Sequence, residues 1–90
     1  MAWKIEFSTR ADKQLRKLDK QIVRRILSFL KTKVEAEPRS IGKYLKGNLS
    51  DLWSYRVGEY RLICNFEDER LVIFVLEIGH RREVYEKTDL

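Results

Sequence analysis

The 90-residue chain has little of what cross-links or interrupts a fold: one cysteine, one proline, one histidine and four glycines. A single thiol, Cys64, cannot close an internal disulfide. Its place in the apolar run Leu62-Ile63-Cys64 reads as a small buried hydrophobe rather than a nucleophile. That cysteine usage makes the cytosol the expected compartment. Long apolar runs are missing too. The longest, residues 71–76, falls far short of the roughly 20 residues that cross a bilayer, and Met1-Ala2-Trp3-Lys4-Ile5-Glu6 lacks the apolar segment of an export signal.

What is present is a foldable mixture of 43% hydrophobic and 37% charged residues, too apolar for a disordered chain and too varied for a coiled coil. At 90 residues it can bury one modest core, which predicts a single domain over residues 1–90 and excludes a separate cofactor domain. Nineteen Lys and Arg against 14 Asp and Glu leave a formal charge of +5, which points to an anionic partner.

Periodicity orders the elements. Trp3, Ile5 and Phe7 alternate with Lys4 and Glu6, predicting a strand over residues 2–7. Ser8 or Thr9 can cap a short helix carrying Ala11, Leu15 and Leu18 and ending near Asp19. Asp19 can cap a second helix, carrying Ile22, Ile26, Phe29, Leu30 and Val34 and stopped by Pro38. Residues 39–47 show neither period and read as a loop with Leu45 as its anchor in the core. Two strands follow, 52–57 and 60–66, joined at Gly58-Glu59. After a turn at Asp68-Glu69 comes a nearly all-apolar strand, 71–78, ended by Gly79 and covered on both faces. His80-Arg81-Arg82 then reads as a basic loop before a short tail. The expected fold is α+β: a helical hairpin on one side of a mostly antiparallel four-stranded sheet.

Charge is unevenly spread. Residues 8–37 hold nine cations and four acids, so the helical hairpin carries the whole excess of +5. Most of these cations read as a solvated outer face. On or beside the sheet lie Lys43, Lys46, Arg56, Arg61, Arg81 and Arg82. Pairing of the two hairpin arms with the end of the last strand would bring Arg56, Arg61 and Arg81 together, and three guanidiniums repel unless an anion binds among them.

The run Leu45-Lys46-Gly47, the hairpin Leu52-Trp53-Ser54-Tyr55-Arg56-Val57-Gly58-Glu59-Tyr60-Arg61-Leu62, and the ending Ile78-Gly79-His80-Arg81-Arg82-Glu83-Val84-Tyr85 together resemble the RelE branch of the RelE/ParE toxin superfamily. The resemblance covers essentially the whole chain. It implies the toxin of a type II toxin–antitoxin system: a cytoplasmic, ribosome-dependent endoribonuclease that cuts messenger RNA without metal or other cofactor. It also implies partners, namely a RelB-like cognate antitoxin in a hetero-oligomeric complex, the ribosome and mRNA. In that family the 2′-hydroxyl of the RNA attacks the adjacent phosphorus and expels the 5′-oxygen. This requires one group to take a proton, one to give a proton and cations to stabilise the phosphorane.

Carried over by position, Arg61 and Arg81 would grip the scissile phosphate and Tyr85 would assist proton transfer or stack on a base. Both arginines are expected at the rim of the sheet. Members of this branch place two lysines on the polar face of the first hairpin strand, where this chain has Leu52, Ser54 and Arg56. Arg56 supplies charge but is a poor base, so His80, with an intrinsic pKa near 6.5, is the substitute expected for proton transfer. Lys43, Lys46, Ser54, Arg82, Lys31 and Lys33 are the expected RNA- and ribosome-binding residues. Two other readings stay open: a ParE-like toxin that inhibits DNA gyrase by binding, and an RNA-binding module without catalysis.

Overall fold

The computed structural model describes residues 3–45 and 52–80. Lys46, Arg81, Arg82 and Tyr85 lie outside them.

β1 (Lys4–Phe7) leads directly into α1 (Thr9–Arg16). Ser8 is the cap: its Oγ accepts from the Ala11 amide at 3.0 Å and donates to the Leu76 carbonyl at 2.8 Å. One hydroxyl thus satisfies an orphan helix donor and ties the helix start to the sheet. α2 (Lys20–Phe29) starts after Asp19, whose side chain makes no capping hydrogen bond. Its last turns, Leu30–Val34, widen into a π-helical turn closed by the Glu35 amide on the Leu30 carbonyl. The helical run therefore ends in a bulge before Pro38 and does not continue as α-helix to the proline.

β2 (Lys43–Leu45), β3 (Leu52–Val57), β4 (Tyr60–Glu67) and β5 (Val72–His80) complete a five-stranded sheet in the order β1-β5-β4-β3-β2. Three features depart from the sequence reading. The expected loop 39–47 contains β2, a fifth strand, with Lys43 opposite Ser54 and Leu45 opposite Leu52. Leu45 is only half-buried there. Ile41 packs on the core instead, its carbonyl accepting a 2.8 Å hydrogen bond from the Trp53 indole. The sheet is mostly antiparallel as expected, with one parallel pairing, β1 with β5. β5 runs through Gly79 to His80, so His80 is a strand residue and not part of a loop.

Gly58 takes φ +60° at the first position of the two-residue β3–β4 turn while Glu59 keeps negative φ, the signature of a type II′ turn. Leu71, at φ +53°, closes the Asp68–Arg70 turn. In front of it, the Arg39 guanidinium holds the Asp68 carboxylate through two bonds of 2.9 and 3.0 Å and lies 4.4 Å over the Phe66 ring. That pairing lowers the Asp68 pKa and raises that of Arg39.

The core lies between the helices and one face of the sheet: Ala11, Leu15, Ile26, Leu30 and Val34 meet Tyr55, Val57, Leu62, Cys64, Ile73, Val75 and Ile78. Cys64 is fully buried, and burial alone pushes its thiol pKa up, as an inert packing role requires. The Tyr55 hydroxyl donates to the Pro38 carbonyl, and burial again raises its pKa. A register shift at Ile63/Cys64 leaves Leu76 out of the β4–β5 ladder. Side chains of α1 take up backbone groups there: Ser8 takes the Leu76 carbonyl, and Gln14 Oε1 accepts from the Ile78 amide at 2.7 Å. No helix among the described residues is long and apolar enough to cross a membrane.

Candidate active site

Because Tyr55, Val57, Leu62 and Cys64 point to the helices, the alternate residues Ser54, Arg56, Arg61 and Ile63 share the opposite face. Register sharpens this. Arg56 is directly opposite Arg61, and Ser54 directly opposite Ile63. The tight Gly58-Glu59 turn fixes that pairing, since a one-residue slip would turn one of the two arginines into the core. Arg61 also faces Gly79 on β5, which has no side chain to cover it.

β2 pairs with β3 only as far as Ser54, so among the described residues the stretch 55–57 has no strand on its outer side. A cleft of about 390 Å³ lies at this notch, lined by Phe29, Lys33, Gly42, Lys43, Ser54, Arg56 and Arg61 together with Ile41. Gly42 makes the close approach of its wall possible. It sits at φ +81°, and a Cβ there would come within 2.5 Å of the Ser54 carbonyl oxygen.

Arg61 is 8% exposed, with Nη1 3.4 Å from Ser54 Oγ, itself buried. The expectation of a residue at the rim of the sheet is thus corrected: Arg61 is buried on β4, between β3 and β5, while still lining the cleft. Arg56 is exposed and its Nε donates to the Gly58 carbonyl at 3.3 Å. Arg56 and Arg61 stand opposite each other on neighbouring strands, and among the described residues no acid lines the cleft. The arrangement can bind an anion, and the planar forks suit phosphate oxygens.

Of the residues singled out in the sequence, Arg56, Arg61, Ser54, Lys43 and Lys33 meet in this cleft. Lys33 comes from the π-helical turn on the helical side, and its spacing in the sequence gave no sign that it would reach the strand residues. Lys31 is exposed on the same turn but does not line the cleft. His80 is elsewhere. It pairs with Tyr60, on the face toward the helices, with ring centroids 5.9 Å apart and nearly perpendicular. There it lines a second cleft of about 420 Å³ with Gln14, Lys17 and Leu18. Arg25, which no sequence signal distinguished from the other helical cations, lies over the β3–β4 turn: a Cβ on Gly58 would be 3.0 Å from its Nη1. Among the described residues no group of three or more His, Cys, Asp or Glu could hold a metal ion.

Residues 5–85 match the family model described as the ParE toxin of the type II toxin–antitoxin system parDE. The chain is 31% identical to Toxin RelG of Mycobacterium tuberculosis over 97% of its length and the whole of that protein. To the mRNA interferase toxin RelE of Escherichia coli it is 35% identical, over 94% of this chain and 92% of RelE. Among solved structures, it is similar to a chain of the RelBE2 toxin–antitoxin complex of M. tuberculosis. The TM-score is 0.82 and the identity 31%, with coverage of 90% of this chain and all of that one.

Proposed function

The chain belongs to the ParE toxin family of type II toxin–antitoxin systems, and from that premise we propose that it is a ribosome-dependent endoribonuclease of the RelE kind. The observation that carries this reading is the Arg56–Arg61 pair, opposite in register on β3 and β4, both lining a cleft that among the described residues has three further polar or cationic side chains and no acid. The planar forks of the two arginines suit the oxygens of a phosphodiester.

In the proposed reaction the 2′-hydroxyl attacks the adjacent phosphorus and the 5′-oxygen departs with a proton, leaving a 2′,3′-cyclic phosphate and a 5′-hydroxyl. Arg61, fixed by its burial, binds the non-bridging oxygens as charge develops on them. Arg81 is its proposed partner in that grip. Ser54 orients the Arg61 head, and Lys43 and Lys33 add positive potential at the cleft. No step in this scheme requires a metal ion. Proton transfer falls to Tyr85 in this scheme, since His80 faces α1 and not the cleft. Lys31, Lys46 and Arg82 supply contacts to the RNA and ribosome backbone, which are sequence-independent and salt-sensitive.

A RelB-like antitoxin is the proposed regulator, by analogy with the complex of the M. tuberculosis relative, and the cytoplasm, where ribosomes work, is the proposed compartment. The gyrase-binding alternative draws on the name of the matching family model, but of the two curated relatives quoted above one is named toxin RelG and the other an mRNA interferase toxin. Expression of the isolated gene in bacteria separates the readings. Translation arrest with cut messages is expected. A DNA-damage response with intact messages would replace this reading with gyrase inhibition, and unimpaired growth would leave only RNA binding.

A further inference from the structure

The cleft does not end at Arg56. A second cleft, also of about 390 Å³, adjoins it and shares Phe29, Lys33 and Arg56 with it; its remaining lining is Arg25, Ser28, Thr32, Val57 and Gly58. Together the two form one trough along the seam between α2 and the outer edge of β3, passing over the β3–β4 turn. Five cations line it (Lys43, Arg61, Lys33, Arg56 and Arg25), and among the described residues no Asp or Glu lines either part. Among the described residues, Arg25, Lys33, Lys43 and Arg56 make no ion pair with a carboxylate, although Arg10, Arg16, Arg39 and Arg70 each do.

The far part is also shaped. Gly58 has no side chain, so the Arg25 guanidinium can lie across the turn, and φ +60° at Gly58 favours glycine at that position. The Thr32 hydroxyl donates to the Ser28 carbonyl at 2.7 Å, which keeps it against its own helix while its oxygen still has acceptor capacity. The near part is the proposed phosphate grip, so the trough continues away from the reacting centre with cationic spacing and no base-reading acid or amide. That is the chemistry of a sugar–phosphate backbone track.

We propose that the Arg25 end of the trough is a subsite for the phosphate of a nucleotide flanking the cleaved bond, so that the RNA strand runs from Arg61 past Arg56 and Lys33 to Arg25. This inference rests on the endoribonuclease reading above. The subsite gives affinity and strand polarity, not base choice, because its donors are aimed at backbone oxygens.

The test is binding of non-cleavable 2′-O-methyl RNA, a trimer and a heptamer, to the isolated chain at low salt, measured by fluorescence anisotropy. Wild type should bind the heptamer more tightly than the trimer. Arg25→Gln should lose about tenfold on the heptamer, in keeping with removal of one charged hydrogen-bonding contact, and leave the trimer unchanged. Its salt dependence on the heptamer should fall by about 0.7 in slope, one single-strand phosphate contact. Lys4→Gln, on the far edge strand β1, should match wild type. Equal losses on both lengths, or none on either, would overturn the subsite while leaving the enzyme reading intact. So would an Arg25→Gln variant that binds RNA normally but loses affinity for an acidic antitoxin peptide. Failure of wild type to bind RNA of either length would overturn the subsite too, and would leave standing the ribosome-dependent enzyme reading, which needs RNA only on the ribosome.

Discussion

Replacing Arg61 tests the proposed chemistry most directly, and its burial changes what must be measured. If Arg61 binds the developing charge on the phosphorane, Arg61→Ala should reduce cleavage by about 10²–10³-fold, the usual loss when one preorganised transition-state donor is removed. At 8% exposure the side chain is part of the packing beside Ser54 and Gly79, so truncation also opens a space under the cleft. Against that loss stands relief of the repulsion with Arg56, directly opposite on β3. Like charges on directly opposed strand residues cost roughly 0.2–1 kcal/mol, so the relief is of that size. The two effects oppose each other, and net destabilisation of about 0–2 kcal/mol is expected. Arg61→Lys keeps the charge and loses the two-pronged fork, so it should fold like wild type and still lose at least about tenfold. The assay is single-turnover cleavage of a message on programmed ribosomes, with thermal unfolding of each variant recorded alongside. Wild-type cleavage in a folded Arg61→Ala protein would refute the phosphate-grip argument. A cleavage defect that tracks only the loss of folded protein would refute it equally.

Ser8→Ala should cost about 2–3 kcal/mol, because it removes a helix cap and strands the Leu76 carbonyl at the bulge; urea unfolding measures this, and a cost below 0.5 kcal/mol would contradict the double role. Tyr55 and Cys64 both have pKa values raised by burial, so the folded state favours their neutral forms. Their stabilisation is full below the unfolded values, about 8.5 for the thiol and about 10 for the phenol, and is lost as pH rises above them. Stability should therefore fall from about pH 8.5 upward, and the part of the fall beginning near pH 10 should flatten in Tyr55→Phe, as thermal melts across pH would show. The Cys64 thiol should react with a thiol reagent only at the rate of unfolding, since its sulfur is inaccessible in the fold. Asp68→Asn should leave the melting temperature within a few degrees of wild type, because both partners of the Arg39 pair are largely solvent-exposed and screened.

Local pattern sufficed for much of this molecule. Alternation in 52–57 and 60–66, with Gly58-Glu59 between, determines a hairpin and hence the Arg56–Arg61 pairing, because a two-residue turn admits one register. The 3.6-residue spacing of Ala11 and Leu15, then of Ile26, Leu30 and Val34, likewise marks the helical faces that form the core. The resemblance of the motif residues to the RelE/ParE superfamily was equally legible, being carried by identity and order alone. What the chain's pattern does not encode is anything that depends on two distant segments meeting. β2 is three residues long with no alternation to read, and it is a strand only because β3 offers it an unpaired edge. The parallel pairing of β1 with β5 joins the two ends of the described chain and has no local signature. Gly79 looked like a strand end; with β4 alongside, its backbone stays in the ladder and carries His80 onto the helix-facing side, away from Arg61. Arg25 was indistinguishable from the other helical cations, and Lys33 was expected only as one of the RNA- and ribosome-binding residues, until the helical run packed across β3. Only that packing selects which charges of a basic helix face solvent and which line the trough, since side-chain neighbours across layers are set by the tertiary fold.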